Sequence, residues 1–397
     1  MDYFFYFLAA LLIWMSCVSL MGGVRYLRYF RKCLGKPASG FTPFLSIIAP
    51  CKGPEEGLEQ NLRALVEQDY PEYEVVFVVD DDNDAAAAMI REKLEENRHS
   101  KLIVAPTATV SSQKVENLRE AVLHVSERSE AFVFVDSDVR PAAGWLRALV
   151  APLEDPGVGA ATGYRWFISK RSALASELRS VWNASVASQL GPEPSGNFCW
   201  GGSMAIRRGT FASIEMRDKW LGTLSDDLAM TRVLNENKLP VIFVPQALAA
   251  SVENGTFREL LEFTTRQIKI VRVYATKLWA LTFIGSGLFC ITMIWAFLIL
   301  LLSRQNTFLV LSAIVTLLSV SALSIGKAWL RLMAVRLVLT EYEEELRRQF
   351  FTQNTLWLVA PLIYFYNCAA ALTSRRLTWR GITYELKSPT ETVIIGR

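Results

Sequence analysis

Ala131-Phe-Val-Phe-Val-Asp136-Ser-Asp138, followed by Val-Arg-Pro141, is the stretch on which the reading of this chain turns. Five apolar residues run straight into two acids one residue apart. A short continuous apolar run of this kind is a strand buried on both faces. Alternate residues of an extended segment project the same way, so Asp136 and Asp138 share one side of the strand end. Two carboxylates there make a partial site for a divalent cation, Mg2+ or Mn2+. Such ions prefer carboxylate oxygens and leave positions open for phosphate oxygens. The competing reading is an acidic turn stopped by Pro141.

Working outward, other strands and helices alternate with this one. Leu45-Ser-Ile-Ile-Ala-Pro50, Tyr73-Glu-Val-Val-Phe-Val-Val79 and Lys101-Leu-Ile-Val104 read as strands. Helical patterns lie at Pro54–Gln68, Asp84–Asn97 and Val115–Val125. Such alternation predicts an α/β domain with a mostly parallel sheet, over residues 42–256. Ligands of such sheets sit beyond the carboxyl ends of the strands. The second strand ends in Asp80-Asp-Asp-Asn-Asp84, more acids than a helix cap needs, and a carboxylate there suits a nucleotide base or ribose. Ser225-Asp226-Asp227 opens a helix. It is either ordinary capping or the place of a general base, and the residues alone leave both open. Lys114 and Asn117 begin a helix between the acidic clusters, a place for phosphate contact or a solvated helix start. Trp200-Gly-Gly-Ser203 suits a sugar or acceptor, or a bulge.

The rest of the chain is of another kind. Of its 397 residues, 51% are hydrophobic and 20% charged, and the mean hydropathy is +0.23. This excludes a disordered or collagenous chain. The apolar excess sits at the two ends. Tyr3–Val24 carries no charge and, at roughly 22 residues, is long enough for a ~30 Å hydrocarbon core. No basic segment precedes it and no cleavage pattern is clear, so residues 1–37 read as a retained anchor. Further spans are expected at Leu278–Leu302, Thr307–Ile325 and Leu356–Leu372, within residues 279–373, with an interfacial segment at 327–350 and a tail at 374–397. Residues 257–278 form a basic amphipathic helix suited to a membrane surface, with Arg266 and Lys269 on it. Arg25, Arg28, Arg31, Lys32 and Lys36 after the first span place the central domain on the cytoplasmic side. Arg375, Arg376 and Arg380 in the tail disagree with four full crossings, which leaves either a re-entrant segment at Pro361 or a tail that breaks the rule.

Other totals remove alternatives. The net charge of +3 gives no general field for nucleic acid. Six cysteines show no paired spacing, and two histidines, His99 and His124, leave a metal to carboxylates.

Together, Ala49-Pro-Cys-Lys-Gly53, Gln68-Asp-Tyr-Pro-Glu-Tyr-Glu-Val75, the acidic run at 80–84, Lys114-x-x-Asn117, Asp136-Ser-Asp138, Ser225-Asp-Asp227 and Trp379-Arg-Gly-x-x-Tyr384 resemble membrane-bound family 2 glycosyltransferases. The nearest likeness is to the family 21 branch of ceramide glucosyltransferases and bacterial hopanoid-associated enzymes, over residues 3–385. The resemblance implies a GT-A (Rossmann-like) catalytic domain with transmembrane helices, in a multi-pass protein of a bacterial inner membrane. It implies an inverting transfer of a hexose, such as glucose, from a UDP-sugar to a ceramide-like lipid hydroxyl. On this likeness Lys52 and Asp81 line the nucleotide pocket, Asp136 and Asp138 hold the metal and diphosphate, and Asp227 is the catalytic base with Asp226 beside it. The family's Gln/Arg-x-x-Arg-Trp is here Arg266-Gln-Ile-Lys269-Ile270, which retains charge but not the tryptophan. A processive polysaccharide synthase and a non-catalytic scaffold of the same fold are the rival readings.

Overall fold

The computed structural model describes residues 2–37, 39–54, 56–96, 99–171, 173–303 and 306–397. Asn97, at the expected end of one helix, and Arg304 and Gln305, in the expected break between two spans, lie outside the described residues.

Along the chain the helices are α1 Asp2–Leu34, α2 Leu58–Val66, α3 Ala85–Glu96, α4 Gln113–Ala121, α5 Trp145–Val150, α6 Leu174–Ala187, α7 Arg208–Ser213, α8 Met216–Lys219, α9 Asp226–Glu236, α10 Phe257–Tyr274, α11 Thr276–Leu302, α12 Thr307–Arg336, α13 Glu343–Thr355 and α14 Ala360–Thr373. The strands are β1 Leu45–Pro50, β2 Tyr73–Val79, β3 Ser100–Val104, β4 Ala131–Phe134, β5 Ala160–Ile168, β6 Met204–Arg207, β7 Val241–Val252, β8 Arg376–Trp379, β9 Ile382–Ser388 and β10 Glu391–Gly396. They divide into two compact units.

One unit contains residues 32–170, 189–253 and 375–397. Its seven-stranded sheet has the order β3-β2-β1-β4-β6-β5-β7. The β3–β2, β2–β1, β1–β4 and β5–β7 pairs are parallel, and β6 runs antiparallel to both neighbours. This is the mostly parallel α/β architecture expected from the alternating pattern. Every residue of β4 and β5 is buried, because both faces of such a sheet are covered. The topology places the chemistry. Lys52, Asp80 and Asp136 all follow the carboxyl ends of parallel neighbours, so they share one edge. β6 is antiparallel, with Met204 opposite Phe134, so the Trp200–Ser203 turn that precedes it comes to that same edge. The last 23 residues fold into a separate antiparallel sheet, β10-β9-β8, in this unit.

The other unit contains residues 1–31, 171–188 and 254–374. α1, α11 and α12 are long and apolar enough to cross a membrane, with mean hydropathies of 2.1, 2.3 and 2.4 over their most apolar windows. The segments Thr340–Leu358 and Ala360–Thr373 meet at 56°, so the described residues allow up to four spans. The bend falls where Pro361 sits at the start of α14, a position that suits proline's fixed φ and missing N–H. α1, α11 and α12 pack through Phe5, Ala9, Ala296, Ile299, Leu309 and Ala313, while Trp14, Leu281, Phe297 and Leu318 point outward and are exposed. An apolar exterior of this kind is disfavoured in water and favoured in lipid.

Two boundaries differ from the expected ones. Residues 327–336 continue α12, so the interfacial segment expected at 327–350 is divided between the end of that helix and α13. α6 interrupts the expected continuous catalytic stretch. Its Leu178 and Trp182 pack with Leu260 and Ile268 of α10 and with Ile363, Cys368 and Ala371 of α14.

Candidate active site

The site is built from the loops at the carboxyl edge of the large sheet. α4 begins with Ser112 as N-cap, its hydroxyl accepting from the Val115 N–H. That start directs Lys114 toward the end of β4. Its Nζ lies 2.6 Å from Asp136 Oδ1 and 3.0 Å from Asp226 Oδ1. One buried ammonium therefore joins the strand end to the first turn of α9. Burial alone would lower the Lys114 pKa, but Asp136, Asp226 and Asp227 raise it above its ordinary value.

The two aspartates respond differently. Asp136 is desolvated, yet Lys114 and Arg165 hold its pKa below the usual carboxylate value. Asp226 is 2% exposed, and burial pushes its pKa up to about 7 against the pull of Lys114, with Asp227 and Asp136 adding repulsion. Its Oδ2 is buried with no hydrogen-bond partner among the described residues.

Asp227 is half-buried and firmly aimed. Its Oδ1 accepts from the Leu228 N–H at 2.7 Å and from the Ser225 hydroxyl, and its Oδ2 accepts from the Gly201 N–H at 3.2 Å. Ser225 also caps α9 by accepting from the Leu228 N–H. Capping and site geometry are thus the same set of bonds.

Gly201 lies against this constellation. A Cβ there would stand 2.5 Å from Asp226 Oδ2 and 2.8 Å from Lys114 Nζ. The preceding Trp200 is buried; its backbone N–H donates to Thr162 Oγ1 at 3.0 Å and its ring packs on Tyr164 at 5.3 Å.

Asp138 meets a partner that sequence reasoning did not single out. Arg165, in the middle of β5, places Nη1 3.0 Å from Asp138 Oδ2, and its guanidinium carbon lies 5.0 Å from the Trp200 ring centroid. Asp138 Oδ1 is buried without a hydrogen-bond partner among the described residues. The loop between the two acids is braced by α2, where Asn61 Nδ2 donates to the Ser137 carbonyl at 3.0 Å. Nothing in Gly163-Tyr-Arg-Trp166 marks Arg165 as special, because an arginine inside an apolar strand gives no motif.

The acidic run divides its tasks. Asp80 Oδ2 pairs with Lys52 Nζ at 2.7 Å, while Asp80 Oδ1 is buried and unpartnered. Asp81, the residue expected at the nucleotide, is exposed and accepts from the Asn83 N–H at 2.9 Å, as in an Asx turn. Asp82 pairs with Arg91. Asp84 accepts from the Gly53 N–H at 2.8 Å and from the Ala86 N–H at 2.8 Å, tying β1's loop to the start of α3. Asn117 is buried and accepts from Gln113 Nε2 at 2.9 Å.

Arg266 and Lys269 belong to the other unit, three residues apart on α10 and therefore on one face. The Arg266 guanidinium carbon lies 5.6 Å from the Phe263 ring centroid, and partial burial lowers the Lys269 pKa. Ile270 is buried.

The structure brings together Lys114, Asp136, Asp138, Trp200, Asp226 and Asp227, and joins Lys52 to Asp80 on the same edge. Among solved structures, the chain is similar to the mannosyltransferase PcManGT from Pyrobaculum calidifontis in complex with GDP-Man and Mn2+, at 20% identity and a TM-score of 0.44, over 90% of this chain and 99% of that one. The model of Glycosyl transferase family 21 matches residues 8–392, which contain both units and every candidate side chain above. A match over nearly the whole length shows the family: the chain belongs to glycosyl transferase family 21 and is a glycosyltransferase.

Proposed function

We propose that this glycosyltransferase moves a hexose from a UDP-sugar to the hydroxyl of a membrane lipid, with inversion, at the cytoplasmic face. The observation that carries this reading is the single ammonium of Lys114 held by Asp136 on one side and Asp226 on the other. That link joins the strand end that would face phosphate to the helix start that carries Asp227.

Asp227 is the base. Its exposure gives a substrate hydroxyl access that the buried Asp226 does not offer. Three donors, from Gly201, Leu228 and Ser225, fix the carboxylate's direction. As the acceptor oxygen bonds to the anomeric carbon, its proton passes to Asp227. The bond from that carbon to the diphosphate oxygen breaks, and the nucleoside diphosphate leaves with the electron pair. Holding donor and acceptor in line supplies much of the acceleration. Lys114 keeps its charge next to the leaving group, and Asp226 keeps Lys114 in place.

Asp136 and Asp138 fit a divalent cation. Both are oxygen donors at a strand end, and Asp138 has an oxygen with no hydrogen-bond partner. Among the described residues no group of three or more His, Cys, Asp or Glu is placed to hold a metal ion by itself, so the two carboxylates would need donor oxygens to complete a site. Bound there, Mg2+ or Mn2+ supplies charge neutralisation to the diphosphate.

The apolar helices and the basic α10 support a lipid acceptor, which reaches the enzyme by lateral diffusion. The test is Asp227→Asn in the full-length protein. Transfer should fall by about 10²–10⁴-fold, the usual worth of a general base, while UDP binding with Mn2+ stays measurable by calorimetry. Near-wild-type turnover removes Asp227 as base. Mass spectrometry of extracted membrane lipids incubated with UDP- and GDP-sugars tests donor and acceptor; product that grows into a polymer refutes single transfer.

A further inference from the structure

The C-terminal sheet reaches the loops that precede Lys114 and Asp226–Asp227 and lies near the end of β1. β8 and β9 are joined by a two-residue turn, with Trp379 paired to Ile382. Arg380 and Gly381 in that turn have φ of 51° and 80°. Glycine takes such a conformation at no cost, whereas an arginine there is uncommon. β9 then sends Tyr384, 2% exposed, inward, and its hydroxyl oxygen accepts from the Gln113 N–H at 3.1 Å. That N–H is in the first turn of α4, one residue before Lys114. Arg397 donates to the Ala108 carbonyl, in the same approach to α4.

A second contact lies at Gly222, whose φ is +80°. A Cβ there would meet the Thr390 carbonyl oxygen at 2.3 Å, so the β9–β10 turn rests on a position open only to glycine. Gly222 is three residues before Ser225. Its N–H donates to Ser111 Oγ at 2.9 Å, and Ser112 Oγ donates to the Leu224 carbonyl at 2.7 Å. The meander therefore clamps the Lys114 loop and the Asp226–Asp227 loop together.

The third link is electrostatic, at the end of β1. Arg380 is exposed, yet lies near enough to Cys51 for its charge to act on that buried thiol, whose pKa burial pushes up to about 12. Cys51 precedes Lys52, which pairs with Asp80, and Asp80 in turn acts on the Tyr384 hydroxyl.

We propose that the C-terminal meander is the outer wall of the donor pocket, with Arg380 contacting the nucleoside diphosphate directly and Tyr384 positioning Lys114. This rests on the donor reading above. A guanidinium suits the ligand, because its planar fork matches phosphate oxygens and also stacks on a base. The tail's position explains how Trp379-Arg-Gly-x-x-Tyr384 combines an aromatic, a cation and a second aromatic across one tight turn: the turn presents the cation while β9 anchors it.

The experiment measures UDP and GDP affinity by calorimetry with Mn2+ and steady-state kinetics on the full-length protein. Arg380→Ala should weaken nucleotide binding about tenfold or more, the worth of a charge-assisted hydrogen bond, and raise the donor KM. Arg380→Lys should recover part of that loss. Tyr384→Phe should lower kcat several-fold with little change in donor KM, which lost folding alone does not produce. Nucleotide binding by the wild type that is lost in Asp136→Asn verifies the donor pocket independently of the tail. With that in hand, unchanged affinity in Arg380→Ala overturns the wall alone. A wild type that binds neither UDP nor GDP overturns both the wall and the donor reading.

Discussion

Gly201→Ala isolates the packing of the site from its charge. Gly201 has no positive φ, so alanine meets no backbone penalty there. The whole effect comes from one methyl group placed 2.5 Å from Asp226 Oδ2 and 2.8 Å from Lys114 Nζ. Both distances are inside van der Waals contact, and neither neighbour is slack. Asp226 is buried, and Lys114 is held at 2.6 Å by Asp136. Overpacking of this kind costs about 1–3 kcal/mol. The catalytic cost is larger, because Lys114 or the Gly201 N–H that aims Asp227 must move, and a displacement of about 1 Å at reacting groups can cost ~10²-fold in rate. Gly191→Ala is the control, since no atom lies within 4 Å of the Cβ it adds. Initial rates of sugar transfer, thermal melting and UDP affinity should be measured for both variants. We expect Gly201→Ala to lose about 10–10²-fold in kcat with a modest loss of melting temperature, and Gly191→Ala to match wild type. Wild-type kcat in Gly201→Ala refutes the close packing of Lys114 and Asp226 on which the site is built.

Other outcomes follow from the same geometry. Arg165→Lys keeps the charge opposite Asp138 but loses the planar group set over Trp200, so transfer efficiency should fall by about 1–2 kcal/mol, seen in kcat/KM; unchanged kcat/KM assigns Arg165 a structural part only. Asp226→Asn tests a titration. The folded protein raises this carboxyl from 3.8 to about 7, so its contribution to stability is fully present below pH ~4 and is lost as pH rises to about 7. That interval corresponds to at most about 4 kcal/mol. Denaturant unfolding should show wild-type stability declining over this range and the decline flattened in Asp226→Asn; parallel curves from pH 4 to 8 contradict the raised value.

The sheet was legible where strands end in chemistry. β4 is an unbroken apolar run, β1 to β3 carry only one or two polar residues each, and each expected strand lies within a residue or two of its observed limits. The same burial that makes these runs visible hides Arg165: inside β5 it reads as a lone interruption, and its partner Asp138 is 27 residues away. The acidic run was visible as a cluster, but which acid faces the site was not. Strand alternation sets Asp80 against Lys52, and the turn that follows consumes Asp81. α6 fell inside the expected catalytic stretch because Leu174-Ala-Ser-Glu-Leu-Arg-Ser-Val-Trp-Asn mixes polar and apolar residues and contains no long apolar run. It lies in the unit of apolar helices, where Thr352 Oγ1 donates to Glu177 and Gln353 Nε2 donates to Ser180, satisfying its polar side. The tail carried a signal that was not used. Ile382, Tyr384 and Leu386 alternate with polar residues, as a half-buried strand requires, and all three are buried.

The charge arrangement then bears on how the site fills. Four carboxylates, at 136, 138, 226 and 227, meet the two cations of Lys114 and Arg165. When all four are ionised they outnumber these two cations, which on the proposed reading disfavours a nucleoside diphosphate approaching without a metal ion. Two features limit that surplus. Asp226 holds its proton up to about pH 7, because burial next to other acids disfavours its charge. Asp136 and Asp138 spend one oxygen each on a cation, and Asp138 keeps another oxygen buried and unmatched, an arrangement stabilised by added positive charge. On the proposed reading, donor and divalent cation must therefore strengthen each other's binding by the same factor, since linkage is reciprocal. The surplus also explains why Lys114 is shared between two acids and not given to one. Neutralising Asp136 completely would remove the attraction for a cation, while Asp226, once it loses its proton, takes its counter-charge from Lys114.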